Sequence, residues 1–423
     1  MLNYSVLPDL IALAALVIVF RAMLRRHAGD QLDSWLLGWI FVLLHFCAQL
    51  LDVGNGHGEN VARTASVLLQ ELAGIAFIRA ASRFDILAAR PVCLSTWTLG
   101  VLGYSALACW DVRSALPYAL AVLVMTAGIT MLNFSVRTSR SLRDNIFSFA
   151  ASWILALTLV ALLFLHRAAY GVDAILTWLY LMAGLRYSQR FWKRSTGART
   201  AVAGFFAWAS VFPLSLLLTR YAPALQIQSE TWNIPKYIVA VGILLTFLES
   251  QIDRAEHLAL HDPLTGLPNR RLFEDRLEKI LQRAERNQTL AAVLQVDMDG
   301  FKQINDTYGH ATGDEVLRIT AQRLQGSVRR SDTIARTGGD EFTLILADLT
   351  LAQSADMLAQ KIQEEMNRPL KIGAMLVRIA GSIGVAIYPD DASTADALCA
   401  LADAGMYAAK RRSKAQTNLG VEN

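Results

Sequence analysis

The apolar positions divide the chain into two parts. Residues 1–246 hold most of the long apolar runs, whereas the remainder has the pattern of an ordinary soluble domain. A helix that crosses a bilayer needs about 20 mostly apolar residues. Nine such runs lie at about 5–24, 33–52, 63–82, 92–110, 114–135, 146–166, 172–188, 200–220 and 233–251. We therefore predict an all-α polytopic membrane bundle of about nine helices over residues 1–246.

The composition agrees with a membrane part. The mean hydropathy of the 423 residues is +0.34, and 18% of them are charged, against about 25% in soluble proteins. Arginine-rich loops explain the net charge of +4, so it does not indicate nucleic-acid binding. None of the cysteines forms a CxxC pair, and we predict free thiols; they are Cys47, Cys93, Cys109 and Cys399.

Positive charges are unevenly distributed between the predicted loops, which indicates the orientation. One alternate set of loops carries only about two, Arg113 and Arg167. This asymmetry places the N-terminus outside and the C-terminal domain in the cytoplasm. The other set carries 14 positive residues: Arg21, Arg25, Arg26, Arg79, Arg83, Arg90, Arg137, Arg140, Arg143, Arg186, Arg190, Lys193, Arg194 and Arg199.

Several polar residues fall inside the apolar runs. Ionisable groups within a membrane are costly and are functional candidates. For Glu71 two interpretations stay open: a contact in the bundle interior, or part of a ligand or signal pocket. No spacing supports a haem or metal site at the histidines His45, His57 and His166. The polar residues within the runs are His45, Gln49, Gln70, Glu71, Asn133 and His166.

Residues 247–261 join the two parts. Small or apolar residues recur there at Leu248, Ile252, Ala255 and Ala259, which is a short heptad seam. We predict a helical linker that continues the last membrane helix and dimerises. A plain amphipathic linker remains the alternative.

The C-terminal part, residues 262–423, contains acidic residues beside predicted strands. Asp262 before Pro263 predicts a helix start. The apolar stretch 291–296 ends in Asp297 and Asp299, where we predict a strand running into a loop. Two further apolar stretches flank Gly338–Gly339, which predicts a β-hairpin with a glycine turn.

Asp340 and Glu341 follow that turn at once. Carboxylate oxygens bind hard divalent cations, and glycine lets a nucleotide approach the backbone closely. Asp297 and the acidic glycine turn therefore have the parts of a two-metal phosphoryl-transfer site.

Five motifs between residues 261 and 414 resemble the GGDEF family of diguanylate cyclases: DPLTGLPNR, DMDGFKQINDTYGHATGD, RTGGDEF, SIGVAIYP and ADAGMYAAK. The resemblance implies a palm-like α/β domain, similar to nucleotide cyclases, that joins two GTP into cyclic di-GMP and two pyrophosphate. It also implies a homodimer, with one GTP on each subunit, at the inner membrane of a bacterium and in contact with its lipid.

The resemblance assigns roles to single residues. Asp297 and Asp340 would bind Mg²⁺ or Mn²⁺ with the main-chain carbonyl of Met298. Glu341 would polarise or deprotonate the attacking 3′-hydroxyl, and Gly338–Gly339 would admit the phosphates.

Four further residues would bind the nucleotide. Lys302 and Lys410 would bind phosphate, and Asn305 and Asp314 would bind the guanine edge. A carboxylate accepts from guanine N1–H and N2–H₂ together, whereas adenine offers no such pair of donors. Asp314 would therefore select GTP over ATP.

The resemblance also implies regulation by the product. Arg329 and Asp332 match the inhibitory RxxD pattern that binds cyclic di-GMP; a surface ion pair is the alternative. The chain departs from the family at residues 413–415, where Ser-Lys-Ala replaces the usual Gly-Arg-Asn. Lys414 would still bind phosphate, with weaker orientation because lysine lacks the arginine fork.

Three alternatives to an active enzyme exist. The membrane half leaves open a transporter or receptor whose cytoplasmic domain is incidental. A catalytically weak domain would sense GTP or cyclic di-GMP, but such domains usually lose the acidic residues of the turn, which are present here. A changed nucleotide choice conflicts with the intact Asp314.

Overall fold

The structure is a computed structural model that describes residues 4–26, 30–51, 57–82, 91–135, 142–192, 195–225, 229–373 and 375–419. Inside helices, the side chains of 24–26, 30–32, 57, 132–135, 142–149, 229–230 and 413–419 are not described. The chain forms two compact units, Met1–Ser250 and Gln251–Asn423. The side chains of His57 and Asn133, for which predictions were made from the sequence, are not among those described.

The first unit is built of helices that are joined, in its described residues, by short turns. Each predicted apolar run falls on one helix. The helices are α1 (Leu7–Arg26), α2 (Asp30–Leu50), α3 (His57–Ala81), α4 (Pro91–Cys109), α5 (Ala115–Ser135), α6 (Leu142–Phe164), α7 (Tyr170–Phe191), α8 (Thr196–Tyr221) and α9 (Ser229–Leu260).

Six stretches of the described helices are long and apolar enough to cross a membrane: Tyr4–Met23, Asp33–Leu50, Gly58–Ala81, Pro91–Cys109, Thr196–Tyr221 and Thr231–Leu260. The apolar parts of α5 and α6, Ala115–Met131 and Ala150–Phe164, are shorter. Helix α7 carries charged residues in both its first and last turns. The predicted number of nine spans therefore exceeds what length and apolarity of the described helices support.

Aromatic rings and small residues pack the first unit. The Tyr180 and Trp208 rings stack with centroids 4.1 Å apart, and the Trp39 and Phe77 rings meet edge to face at 5.2 Å. A Cβ on Gly204 would lie 2.7 Å from the Val239 nitrogen, so α8 and α9 approach closely there. Small residues at such crossings let helix backbones pack together.

The second unit is an α/β domain. Its elements after the end of α9 are α10 (Arg270–Asn287), β1 (Leu290–Asp299), α11 (Phe301–Tyr308), α12 (His310–Ser327), β2 (Thr333–Arg336), β3 (Glu341–Leu349), α13 (Gln353–Asn367), β4 (Leu370–Ile372), β5 (Met375–Val377), β6 (Ala380–Tyr388) and α14 (Ala395–Leu419). The main sheet has the order β2-β3-β1-β6 and is antiparallel, and β4 pairs with β5 separately.

The central strand β1 is buried on both faces. Because side chains alternate along a strand, Leu294 and Val296 face the core that α12 and α13 share. Ala291 and Val293 face the opposite core, which α10 and α14 cover. Helices on both faces explain why the sequence of β1 is almost continuously apolar rather than alternating.

Two local predictions need correction. Asp262 does not begin a helix: its carboxylate accepts from the Thr265 main chain at 2.8 Å in a turn, which Gly266 continues with φ +71°. Helix α10 begins at Arg270, where the Asn269 side chain caps it. The strand before the acidic residues also runs further than expected, because β1 continues through Asp297 to Asp299. The predicted hairpin is confirmed by the pairing of β2 with β3.

Candidate active site at the glycine turn

Carboxylates from two neighbouring strands meet at one end of the sheet. Asp297 on β1 is the direct cross-strand partner of Glu341 on β3. Residues opposed in this way project to the same face, with Cβ atoms about 4.5–5.5 Å apart. Asp340 precedes Glu341, and its carbonyl accepts the Met298 N–H at 3.3 Å. The structure thus brings Asp297, Asp340 and Glu341 to one place, as predicted.

Lys410 on α14 faces this acidic group. Its Nζ lies 2.5 Å from Asp297 Oδ1. Burial lowers the pKa of Lys410, but the bond to Asp297 and the charges of Asp297, Asp340 and Asp299 outweigh it and raise the pKa above its usual value. One ammonium group therefore interacts with three carboxylates.

The oxygen donors at this site suit a hard divalent cation whose coordination shell is completed by the substrate. Among the described residues, no three His, Cys, Asp or Glu side chains are close enough to form a metal site by themselves. Asp297, which is 6% exposed, and Asp340 lie beside Lys410, whose single positive charge offsets only part of their negative charge. Two carboxylates, a main-chain carbonyl and substrate phosphates form the kind of shell that Mg²⁺ takes.

Two arginines that the sequence analysis did not assign hold the glycine turn. Arg336 donates from Nε and Nη2 to the Gly339 carbonyl at 3.1 and 2.6 Å. Its Nη1 lies 3.0 and 3.1 Å from the two oxygens of Asp262. Arg270 donates to the Thr337 carbonyl at 3.3 and 3.2 Å. The signal that could have found Arg336 is its position directly before the glycine turn, opposite an unexplained aspartate.

The electrostatics of Asp262 agree with this ion pair. Burial pushes the pKa of Asp262 upwards, but the hydrogen bonds from Thr265 and Arg336 outweigh burial and hold it below the usual value.

Beside the turn lies a polar depression of about 480 Å³. Its lining residues are Asp262, Asn269, Arg270, Arg271, Glu274, Arg336, Thr337 and Gly338.

The two glycines of the turn have different surroundings. A Cβ on Gly338 would lie 2.6 Å from Glu341 Oε2, so the carboxylate of Glu341 packs against this glycine. A Cβ on Gly339 would meet no atom within 4 Å. Gly338 therefore makes room for Glu341, whereas the space over Gly339 is open to a ligand.

The residues predicted to bind guanine also lie together. Asn305 is on α11, and its amide packs against Gly313 on α12 so closely that a Cβ there would overlap it. Asp314 is the next residue, and both Asn305 and Asp314 are half-buried. Lys302 lies exposed on α11, one turn before Asn305.

The predicted inhibitory pair does not form a side-chain ion pair. The Arg329 N–H donates to Asp332 Oδ2 at 3.0 Å, and the Ala347 N–H donates to Asp332 Oδ1 at 3.5 Å. Asp332 thus closes a turn, and the exposed Arg329 side chain has no bond within the described part of the chain. Lys414 belongs to α14, but its side chain lies outside the described residues.

The site defines a class of protein: an α/β domain whose antiparallel sheet carries carboxylates and a glycine turn at one end. A family profile described as "Diguanylate cyclase, GGDEF domain" matches residues 259–416. MucR of Pseudomonas aeruginosa, a bifunctional diguanylate cyclase/cyclic di-GMP phosphodiesterase, is 43% identical over 188 residues, which are 41% of this chain and 27% of MucR.

A second relative is the diguanylate cyclase TpbB of Pseudomonas aeruginosa. It is 44% identical over 168 residues, which are 40% of this chain and 39% of TpbB. The solved GGDEF domain of TpbB is 45% identical, covers 36% of this chain and 89% of that structure, and has a TM-score of 0.36. The similarity to the GGDEF family is confined to residues 259–416. The chain spans well under half the length of the curated relatives MucR and TpbB.

Proposed function

We propose that this chain is a membrane-bound diguanylate cyclase that condenses two GTP into cyclic di-GMP and two pyrophosphate. The register of Asp297 with Glu341, at the end of the sheet where Asp340 and Lys410 meet them, supports this most directly. The relatives TpbB and MucR carry the same activity in their names.

Each turnover forms two phosphodiester bonds. In each, a ribose 3′-oxygen bonds to the α-phosphorus of the other GTP, the bond from that phosphorus to the bridging oxygen breaks, and pyrophosphate leaves. The proton of the 3′-hydroxyl passes towards Glu341. A divalent cation held by Asp297, Asp340 and the Met298 carbonyl, Mg²⁺ or Mn²⁺, would neutralise charge that develops on the phosphates.

The remaining residues bind and orient GTP. The Asp314 carboxylate accepts hydrogen bonds from the guanine edge and the Asn305 amide binds beside it. The open space at Gly339 takes phosphate. Lys302, Lys410 and Lys414 supply positive charge to the phosphates.

The first unit anchors and regulates the enzyme. We assign residues 1–246 to the membrane region, 247–261 to the linker and 262–423 to the catalytic domain, which faces the cytoplasm. Six described stretches with the length and apolarity of membrane spans support a membrane region in the first unit. Two chains associate through catalytic domains and linker helices, because each product needs two GTP sites that face each other.

The test is turnover by the full-length chain in lipid vesicles, with GTP and Mg²⁺, followed by separation of cyclic di-GMP. Asp340→Ala should lower the rate by at least about 100-fold, in the range found when one group that stabilises transition-state charge is removed. The matched control Asp356→Ala, at an exposed site on α13, should keep full activity. GTP binding without product in the parent chain would instead identify a nucleotide sensor.

A further inference from the structure

A buried polar cluster ties the first helix of the chain to the ninth. Lys236 Nζ on α9 lies 3.1 Å from Asp9 Oδ1 on α1. On the same helix as Lys236, Tyr237 donates its hydroxyl to Asp9 Oδ1 at 2.5 Å, and Asn233 donates to Asp9 Oδ2 at 2.7 Å. One carboxylate thus receives three groups from a single turn of α9.

Both charged side chains of this pair are withdrawn from solvent. The side chain of Lys236 is 2% exposed and that of Asp9 is 9% exposed. A buried charge without its partner is strongly unfavourable, so such a pair holds two elements in one register more than it adds net stability. The pair therefore joins α9 to α1 at this position.

Two more helices join the cluster. The Lys236 ammonium lies 3.7 Å from the centre of the Phe46 ring on α2, which is a cation–π contact. Beside Phe46, His45 contacts the Ser66 carbonyl on α3 at 2.8 Å, and Gln49 lies 3.2 Å from its other ring nitrogen. A shift of Lys236 would disturb contacts from α1 and α2 together.

Helix α9 leads from this cluster to the catalytic domain. It is continuous from Ser229 to Leu260, where the Asn269 main-chain N–H donates to the Leu260 carbonyl at 2.9 Å. Asp262 follows two residues later and binds Arg336, which holds the Gly339 carbonyl. Within the second unit, these contacts end at the turn where phosphate is proposed to bind.

We propose that the Asp9–Lys236 pair is a regulatory restraint: it fixes the register of α9, and a change in this register alters the output of the catalytic turn. The inference rests on the proposed cyclase function. In this proposal, the first unit regulates the catalytic turn through the Asp9–Lys236 contact. The contact itself involves only residues of this chain.

A double-mutant cycle on the full-length chain in vesicles tests the restraint. Asp9→Asn and Lys236→Met should each shift the basal rate of cyclic di-GMP formation by at least about fivefold, the usual lower range of coupling between sites. Both shifts should have the same sign, and the double variant should shift no further than the larger single one, because the pair is already broken. Tyr237→Phe, which keeps both charges, should produce a smaller shift.

Controls separate the possible failures. Asp173→Asn makes the same carboxylate-to-amide change in α7, which contributes nothing to the cluster, and should leave the rate unchanged. Monodisperse elution from a size-exclusion column in detergent shows which variants fold. If a single variant does not fold, the restraint is tested with Tyr237→Phe and with the double variant, which carries neither charge. Absence of product from the parent chain refutes the cyclase proposal. If the parent chain is active but the folded variants have unchanged rates, or rate shifts that add in the double variant, the restraint is refuted and the cyclase proposal stands.

Discussion

Arg336 and Asp262 form an ion pair across 74 positions of sequence, with Nη1 of Arg336 at 3.0 and 3.1 Å from the two carboxylate oxygens. The other side of the same guanidinium holds the Gly339 carbonyl. A planar group with five donors can serve a carboxylate and a carbonyl at once. Arg336 therefore links Asp262, near the start of the second unit, to the conformation of the glycine turn.

Replacing Arg336 by Lys keeps the charge and removes the fork. Hydrogen bonds to charged groups contribute about 1.5–3 kcal/mol each, so we expect the cyclase kcat to fall by at least about tenfold. Because Arg336 acts through the turn, Asp262→Asn should lower kcat in the same direction, and the two changes together should be less than additive.

The control for this arginine is Arg276→Lys. Arg276 is half-buried on α10 and contacts Thr333 rather than the turn, so its substitution should leave kcat close to that of the parent chain. Independent, additive effects of Arg336→Lys and Asp262→Asn would show that the ion pair does not position the turn.

The main elements of the site could be predicted from local pattern. The apolar stretch before Asp297 predicted a buried strand, and the glycines before Asp340 predicted the hairpin that β2 and β3 form. Both predictions rest on periodicity and turn chemistry, which act within a few residues. The nine helices of the described first unit follow the apolar runs for the same reason.

The contacts that were missed are between distant residues. Asp262 was predicted to cap a helix, because its neighbour Pro263 favours a helix start. Gly266, with φ +71°, instead places the chain in a turn, so no helix begins there. Its actual partner, Arg336, is brought close only when β2 pairs with β3. The Asp9–Lys236 pair, 227 positions apart, depends on helix packing that no local spacing reveals.

The two glycines of the turn offer a matched pair of substitutions. Gly338→Ala places a methyl group 2.6 Å from Glu341 Oε2, so Glu341 must move. We expect kcat to fall by at least about tenfold, since a misplaced catalytic group can cost about 100-fold. Gly339→Ala meets no protein atom. It should leave the fold intact and raise KM for GTP, because the methyl group enters the space proposed for phosphate.

Steady-state kinetics on the full-length chain distinguish these outcomes. Thermal unfolding of both variants should stay close to that of the parent chain, because neither glycine has a backbone conformation that excludes alanine. If Gly339→Ala binds and turns over GTP as the parent does, the phosphates do not lie over this residue.

Nucleotide choice should depend on Asp314. Asp314→Asn removes one charged acceptor from the guanine edge, and loss of a bond to a charged group costs about 1.5–3 kcal/mol. We expect kcat/KM for GTP to fall by at least about tenfold. The affinity for ATP, measured by its competition with GTP, should change less. Asp306→Asn on the exposed side of α11 is the matched control. Equal GTP kinetics for the two variants would remove Asp314 from guanine recognition.

Gly313 provides an independent test of the same region. A Cβ at this position would overlap the Asn305 amide, so Gly313→Ala should displace Asn305 and weaken GTP binding without touching Asp314. The KM for GTP, rather than kcat, should carry the change, because the guanine edge is far from the bonds that form and break. A variant with unchanged KM would place the base elsewhere.

Product inhibition should be tested at Arg329, not at Asp332. The Asp332 carboxylate already accepts the N–H groups of Arg329 and Ala347, so its removal would disturb the turn and the strand whether or not cyclic di-GMP binds there. The exposed Arg329 side chain is available to a phosphate or a guanine, which an arginine fork recognises well. Arg329→Ala should therefore raise the cyclic di-GMP concentration that halves the rate by at least about tenfold, the equivalent of about 1.4 kcal/mol. Initial rates without added product should be unchanged.

The neighbouring Arg330→Ala is the matched control, since it removes the same charge from the same exposed turn. Identical inhibition curves for the parent, Arg329→Ala and Arg330→Ala would mean that this turn is not the inhibitory site.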